Sequence, residues 1–361
     1  MKKIILLGRY NESEILSGPE KIAKRIFHYL LLRNFNVIFC DFYFKDRKNT
    51  TLLNRLFGFE KLNENVFRTG IFKLLLLTIS KDVKIIHVLT LERHQIILFL
   101  LKKLLRIHII TTLHACVKYE LANSVNKFNW LQKLKLNSLE KLAISKSDEL
   151  VLVSNLLKKI LMKYYDLSKK NLSIIYHAVD KDFYQNKIEM NFTNPLKIIF
   201  YNSSQYINRD LYMVYRTLLE VNDINIQLFV IGDNDENVIS KNNVDVIYKN
   251  YMSKSDLINF LKDKQILIKG FTFDSFPLFA AECMAMGKIV ILNYNIGVSE
   301  LIENCVNGFI CNNYDEIIMT IKNLYNNKFL VNKVSENATK IYSILNWDNV
   351  IKHYTDLYER A

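Results

Sequence analysis

The chain has 361 residues, of which 50% are hydrophobic and 24% are charged. With only three prolines and nine glycines, this composition excludes a disordered or fibrous protein and suits about two domains of ~150 to 200 residues. The longest apolar runs begin at Leu74 and Gln95. Both runs are far shorter than the ~20 residues that span a bilayer, so we expect no transmembrane segment.

The first half alternates apolar strands with helices. Strands are predicted at KKIILLG, NVIFCDFY, KIIHVLT, IHIITTLH and ELVLVS, the last ending at Ser154. Helices are predicted over about 18–33 and in LERHQIILFLLKKLL. This alternation predicts a doubly wound parallel sheet, in which ligands bind at the carboxyl ends of the strands.

The second half repeats the pattern. Pro195 begins PLKIIFYNSS, predicted as the first strand of a second domain and followed by the helix RDLYMVYRTLLEV and the strand IQLFVIGD. The run QILIKGF fits a buried parallel strand, and PLFAAECMAMG fits a packed helix that ends at Gly287. Aromatic residues of the last segment, LNWDNVIKHYTDLYERA, recur at helical spacing and are expected to be buried.

The charge is unevenly distributed. Residues 1–190 contain 33 basic and 17 acidic residues, whereas 191–361 contain 16 and 19. The basic residues alternate with leucine and aromatic residues in stretches such as FLLKKLLRIH, which includes Lys102, Lys103 and Arg106. Such a surface favours anionic lipid, whereas inward packing with solvated lysines is the structural alternative. Nucleic-acid binding is not expected, because no zinc-finger spacing, recognition-helix pattern or RNP-like run is present.

Cysteine spacing argues against a metal site or a disulfide framework. The five cysteines include no C-x-x-C pair and have no histidines at ligand spacing. We therefore expect them to be reduced core residues of a cytoplasmic protein. A D-x-D sequence, at Asp233 to Asp235, follows IG in the predicted loop after a strand.

Two acids frame the predicted turn between QILIKGF and its helix. Asp274 lies in the loop and Glu282 lies eight positions later, inside the apolar run LFAAECMAM. The backbone N–H groups of Ser275 to Phe279 and the helix dipole can hold a phosphate there, and Pro277 is expected near the first helical position. Such acids often only complement the dipole or face solvent, but a carboxylate inside an apolar run needs a partner, which favours a site.

The chain resembles the retaining glycosyltransferases of family 4, which have the GT-B fold. That family has an acid-x7-acid motif, a small-residue helix, a glycine, a strand and a Gly-x-x-Glu segment. Asp274 and Glu282 match the acids, MAMGKIVI the helix end and strand, and Gly297 and Glu300 the G-V-S-E segment. VNGFI matches the edge strand that follows, and SIIYHAVDKDFY resembles the joint between the domains.

The resemblance implies an α/β GT-B architecture of two Rossmann-like doubly wound domains facing a cleft. The N-terminal acceptor-binding domain would span 1–185, completed by a C-terminal helix over 345–361 that crosses back to it. The C-terminal donor-binding domain would span 190–344.

The resemblance also implies site roles. Glu282 would accept hydrogen bonds from the donor ribose, and Asp274 would contact the sugar and stabilise positive charge at its anomeric carbon. His114, after a strand, would line the sugar pocket. The backbone near the donor diphosphate would come from Ser275, Phe276, Pro277 and Leu278. Ser17 and Gly18 would form the phosphate or acceptor loop, and Gly232 would lie in the loop near the nucleotide base.

The cations that neutralise the leaving diphosphate differ from the family pattern. Family members have a Gly-Arg pair and, about five positions later, a lysine. Here Ser203 would donate a neutral hydrogen bond and Arg209 would substitute for the lysine. Lys269 and Arg9 are further candidates for the missing charge.

The implied reaction is sugar transfer from a nucleoside diphosphate to an acceptor hydroxyl, with retention at the anomeric carbon and without a bound metal. We expect a lipid-linked or glycan acceptor in cell-surface polysaccharide or glycoconjugate synthesis, and a cytoplasmic protein at the inner membrane face. Two alternatives remain open at this stage. One is a GT-B subunit without transferase activity that binds a partner or a sugar, and the other is a nucleotide-sugar 2-epimerase with the same fold.

Overall fold

A computed structural model describes residues 2–10, 18–43, 51–92, 95–123, 129–202 and 209–361. They form two compact units, of which the second is His177–Trp347. The first comprises the described residues up to Tyr176 together with Asp348–Ala361. No described helix is long and apolar enough to cross a membrane.

The first unit is built on an eight-stranded sheet of order β3-β4-β2-β1-β5-β6-β7-β8. Its strands are β1 Lys3–Leu7, β2 Val37–Phe42, β3 Phe59–Asn63, β4 Val66–Thr69, β5 Val83–Val88, β6 His108–Leu113, β7 Glu149–Leu152 and β8 Asn171–Ile174. Its helices are α1 Gly18–Leu32, α2 Leu52–Phe57, α3 Ile71–Ser80, α4 Ile96–Leu105, α5 Val117–Asn123, α6 Trp130–Lys146 and α7 Asn155–Met162. Neighbouring strands are parallel except for β3 and β4.

The second unit contains a six-stranded sheet of order β11-β10-β9-β12-β13-β14, in which every neighbouring pair is parallel. Its strands are β9 Leu196–Asn202, β10 Ile226–Gly232, β11 Val244–Lys249, β12 Ile266–Ile268, β13 Ile289–Leu292 and β14 Phe309–Ile310. Its helices are α8 Lys181–Gln185, α9 Arg209–Leu219, α10 Lys254–Leu261, α11 Leu278–Ala285, α12 Tyr314–Asn326, α13 Lys328–Thr339 and α14 Ile341–Leu345. A 3-10 turn spans Gly297–Leu301 in this unit, whereas α15, Trp347–Arg360, belongs to the first unit from Asp348 onward.

Near-continuous apolar strands make these sheets buried on both faces. All six residues of β2 are buried, as are Ile4 to Leu7 of β1. Parallel strands require such runs because crossover helices cover both faces of the sheet. The predicted two α/β sheets are therefore confirmed, including VNGFI as the edge strand β14.

Two details differ from the sequence predictions. No strand was predicted between α2 and α3, where β3 and β4 form an antiparallel pair at one side of the sheet. The cysteines were all predicted to be buried, but Cys305 is exposed, in the left-handed conformation with φ of 64°. The other four are buried, and all five are free thiols.

A buried polar network joins α15 to the sheet of the first unit. His87 of β5 lies 2.6 Å from the Tyr358 hydroxyl through Nδ1 and 2.7 Å from the Thr112 hydroxyl through Nε2. Burial, with His114 nearby, lowers the pKa of His87 to about 3. His87 is therefore neutral, with one ring nitrogen donating and the other accepting.

Because His87 is buried in its neutral form, we expect the free energy of unfolding to fall in acid. Because the folded pKa of His87 is below the unfolded value, the unfolded chain takes up a proton as the pH falls below ~6.5. Between about pH 7 and pH 5 we expect a loss of about 2 kcal/mol in the free energy of unfolding. Urea unfolding of the wild type and of His87→Gln at both pH values measures it, and equal pH dependence in the two proteins would contradict the assignment.

Candidate active site

A lysine–aspartate pair lies at the carboxyl end of β12. The Lys269 N–H donates to the Ile291 carbonyl at 3.1 Å, which holds this residue beside β13. Its ammonium lies 3.1 Å from Oδ2 of Asp274, and both side chains are largely shielded from solvent. The sequence nominated both residues separately, and the fold brings them together.

The backbone of Asp274 is tied to the G-V-S-E segment. Its N–H donates to the Asn295 carbonyl at 3.1 Å, and its carbonyl accepts from the Gly297 N–H at 2.8 Å. The two motifs that carry the acidic residues therefore lie side by side, although more than twenty residues separate Asp274 from Gly297. Glu300, in the turn that follows, is exposed.

The helix α11 carries Glu282 within an entirely buried segment. All eight residues of α11 are buried, and Glu282 is only 4% exposed. Pro277 precedes the helix as its N-cap, one residue earlier than predicted. It is extended, with ψ of 99°, so that Leu278 is the first helical residue.

The first turn of α11 leaves backbone donors available. Among the described residues, the N–H groups of Leu278 and Phe279 have no hydrogen-bond partner, whereas that of Ala280 donates to the Pro277 carbonyl. Ser275 is half-buried in the preceding loop. The ring of Phe276 packs edge-to-face on His177 with centroids 5.6 Å apart, and Phe276 is buried.

Aromatic rings that the sequence analysis did not nominate lie beside Glu282. The ring of Tyr201, at the end of β9, is 4.8 Å from that of Phe279 and 5.7 Å from that of Tyr251. Burial raises the pKa of Tyr201, and the charges of Tyr251 and Glu282 add to the shift. Tyr201 lies one residue before the end of β9, and this position at a strand end was the sequence signal that could have identified it.

Gly232 is required by the neighbouring strand. Its φ is 117°, and a Cβ at this residue would lie 2.2 Å from the Asn202 carbonyl oxygen. That oxygen also accepts from the Tyr251 hydroxyl at 2.9 Å. The glycine thus lets the ends of β10 and β9 meet, and its contact with a nucleotide base remains a prediction.

The loop after β12 is braced by the start of α9. Oδ2 of Asp210 accepts from the Thr272 N–H at 2.9 Å, and a Cβ at Gly270 would lie only 2.5 Å from the same oxygen. Asp210 thereby fixes the loop that carries Lys269 and Asp274. Arg209 is the first residue of α9, and Ser203 lies outside the described residues.

The site residues predicted in the first unit each have different neighbours. His114 donates through Nε2 to the Leu89 carbonyl at 2.8 Å, and burial lowers its pKa to about 4, so it is neutral near pH 7. Arg9 is ion-paired with Glu92, with Nη2 2.9 Å from Oε1, and its contact with the diphosphate remains a prediction. Gly18 begins α1, and a Cβ there would meet nothing within 4 Å. Ser17 lies outside the described residues.

Within the described ranges, no three His, Cys, Asp or Glu side chains are grouped so that they could hold a metal. Asp235 of the D-x-D sequence is engaged locally: its Oδ1 accepts from the Asn237 N–H at 3.0 Å and from the Asn237 amide at 3.1 Å. Metal independence of the reaction remains a prediction.

Solved structures establish the class of fold. The chain matches a sucrose-phosphate synthase from Thermosynechococcus elongatus with a TM-score of 0.75 and 12% identity, over 100% of this chain and 99% of the other. A glycosyltransferase from Rickettsia africae matches with a TM-score of 0.71 and 18% identity, over 99% and 98%. Anabaena Alr3699/HepE, solved with UDP and glucose, matches with 0.71 and 14%, over 100% of both chains. Together with the two sheets, these matches define a GT-B fold.

Sequence comparison supplies the family. The model for glycosyl transferases group 1 matches residues 205–341, and the model for glycosyltransferase family 4 matches residues 17–183. An uncharacterized glycosyltransferase from Methanocaldococcus jannaschii is 27% identical over 269 residues, which are 72% of this chain and 70% of that protein. The chain belongs to the group 1 glycosyltransferases and is a glycosyltransferase enzyme.

Proposed function

We propose that this enzyme transfers a sugar from a nucleoside diphosphate to an acceptor hydroxyl, with retention at the anomeric carbon. The observation that carries the proposal is the constellation of Lys269, Asp274 and Glu282 around one strand-to-helix turn. Alr3699/HepE has been solved with UDP, with UDP and glucose, and with UDP-glucose. Its fold is shared by this chain, which supports a nucleotide-sugar donor.

The donor nucleotide would be held by α11 and its neighbours. Glu282, shielded from water, would accept hydrogen bonds from the ribose hydroxyls. Tyr201 and Phe279 would contact the nucleoside through their rings. The N–H groups of Leu278 and Phe279, with the helix dipole, would face the diphosphate.

The charges suit departure of the diphosphate. When the bond between the anomeric carbon and oxygen breaks, its electron pair remains on the phosphate oxygen, where Lys269 would neutralise it. Asp274 would stabilise the positive charge that develops on the sugar. Neutral His114 would act as a hydrogen-bonding group for the sugar. We propose that the reaction needs no bound metal. Sugar transfer that is unchanged after a metal chelator is added would support this.

We further propose that the acceptor is a lipid-linked glycan at the cytoplasmic membrane face, in the synthesis of a cell-surface polysaccharide or glycoconjugate. The excess of basic residues in 1–190 supports this location, because anionic lipid attracts such a surface. A glycan acceptor without a lipid is the alternative within the same reaction class.

The first experiment is calorimetric titration of the purified protein with UDP, GDP and ADP sugars, followed by NMR of the released sugar. We expect one nucleotide class to bind and its sugar to be slowly hydrolysed with retained configuration. Binding without hydrolysis or transfer would favour the inactive subunit. An epimerised donor or free epimerised sugar without an acceptor would favour the 2-epimerase, and no binding to any donor would contradict the proposal.

A further inference from the structure

Four helices of the first unit expose large apolar side chains. We call this set the apolar face. It consists of Leu52, Leu53, Phe57, Phe72, Leu76, Ile79, Leu100, Leu104, Trp130, Leu131 and Leu134. Leu104 is 78% exposed and Trp130 is 70% exposed. Exposed apolar surface of this extent marks an interaction site.

These side chains belong to one outer layer of the unit. The helix α2 packs on α3, α3 on α4, and α4 on α6. The buried residues Leu74 of α3, Leu98 of α4 and Ala143 of α6 enter the same hydrophobic core beneath the sheet. Because the three helices cover one core, their opposite sides face outward together.

The helix α2 makes no contribution to the core. Its sequence LLNRLF is mostly apolar, yet none of its six residues is buried. Phe57 stacks on Phe72 of α3 at 4.9 Å, and both rings are exposed. The apolar side chains of α2 are not buried within the fold, so they suit insertion into the apolar part of a membrane surface.

The beginning of α6 has the same character. Residues 130–135 are exposed on every side of the helix. They include Trp130, Leu131 and Leu134 next to Lys133 and Lys135. Tryptophan next to lysine is the combination that sits at the boundary between headgroups and acyl chains.

The charge around the apolar face selects the partner. The sequences of α2, α3 and α4 contain no acidic residue, and the one in α6, Glu140, is fully buried. Lys73 and Lys103 are exposed on α3 and α4. Two copies of this chain meeting here would bring like charges together, whereas an anionic leaflet complements them.

We propose that the apolar face inserts into the headgroup region of a bilayer that contains anionic lipid. This deepens the proposed function, because a lipid-linked acceptor would lie in the same leaflet. It also revises the surface suggested by the sequence: Lys102 is ion-paired with Asp148 and donates to the Lys146 carbonyl, so its charge is already neutralised. Insertion of leucine and aromatic side chains, not the Lys102, Lys103 and Arg106 cluster alone, would hold the enzyme.

The test uses the whole chain with vesicles of phosphatidylcholine, with and without phosphatidylglycerol. The chain has two tryptophans, and Trp347 is buried at 3% exposure, so a change in fluorescence reports Trp130. We expect flotation and a blue shift with the anionic vesicles, and no shift in Trp130→Phe. Leu53→Ser with Leu76→Ser should weaken binding at least about tenfold, and Lys73→Gln with Lys103→Gln about tenfold.

The matched control is Met319→Ser with Phe329→Ser, which removes equally exposed apolar side chains from α12 and α13 of the second unit and should leave binding unchanged. Absence of vesicle binding, or equal binding by the Leu53/Leu76 variant, overturns the proposal. If the wild type forms a dimer, the Leu53/Leu76 variant dissociates it and neither binds vesicles, the apolar face is instead an interface between copies. Hydrolysis of a soluble donor tests the proposed function separately, since none of these residues lies at the candidate active site.

Discussion

Replacing Lys269 by methionine is expected to lower kcat for sugar transfer by about 10²- to 10³-fold, with a much smaller change in KM for the donor. The Lys269 ammonium lies 3.1 Å from Oδ2 of Asp274. Asp210 holds the loop that carries both residues, because its carboxylate accepts from the Thr272 N–H. Negative charge on the diphosphate grows as the bond to the sugar breaks, so a fixed cation stabilises the transition state more than the bound donor. Lys269→Arg should retain part of the activity.

Lys269 also neutralises Asp274, 3.1 Å away, so its effect through Asp274 has to be separated from its effect on the diphosphate. The double variant Lys269→Met with Asp274→Asn separates the two roles. If the lysine acts only through Asp274, the double variant is no slower than Asp274→Asn alone; if it also acts on the diphosphate, the two losses of kcat add. Lys322→Met is the matched control, because Lys322 lies 2.8 Å from Asp223 in a surface pair of the same unit.

Replacing Glu282 by alanine is expected to raise Kd for the nucleotide-sugar donor by about 10²-fold. The carboxylate is 4% exposed in a helix with no exposed residue, so the ribose hydroxyls would meet an acceptor that water does not compete for. Glu282→Gln keeps one acceptor oxygen and should lose less. Calorimetry with the donor identified for the wild type measures both variants.

Structural damage is the competing explanation for an effect at Glu282, since the residue is buried. Thermal unfolding of each variant detects it, because a merely structural role lowers Tm while donor binding persists at low temperature. Glu336→Ala provides the control: Glu336 is an exposed acid on α13 of the same unit, and its loss should leave donor affinity unchanged. Unchanged affinity in a folded Glu282→Ala protein would remove this residue from the donor site.

The sequence predicted the fold well because its main signals are local. Buried parallel strands need continuous apolar runs, and helices need apolar residues at helical spacing. These requirements located β1, β2, β5 and β6, and they placed Asp274 in a loop and Glu282 in α11. They predicted no strand at β3 and β4, because these strands are only five and four residues long and lack a continuous apolar run.

The candidate site shows where local signals end. Asp274 and Glu282 were found because they flank a single turn, and ordered motifs along the chain indicated the family. The ring of Tyr201 beside Phe279 depends on a strand and a helix that are far apart in sequence. The pairing of Arg9 with Glu92 depends on the adjacent ends of β1 and β5.

The sequence by itself determined two α/β units, the acidic pair at the strand-to-helix turn and the basic character of the first half. Only the tertiary structure decided that Lys269 meets Asp274, that Asp210 braces their loop, and that the helices α2, α3, α4 and α6 turn apolar side chains outward. The physical reason is that backbone sterics and burial periodicity act over a few residues, whereas ion pairs and exposed faces depend on which strand ends and helices the completed sheet places side by side.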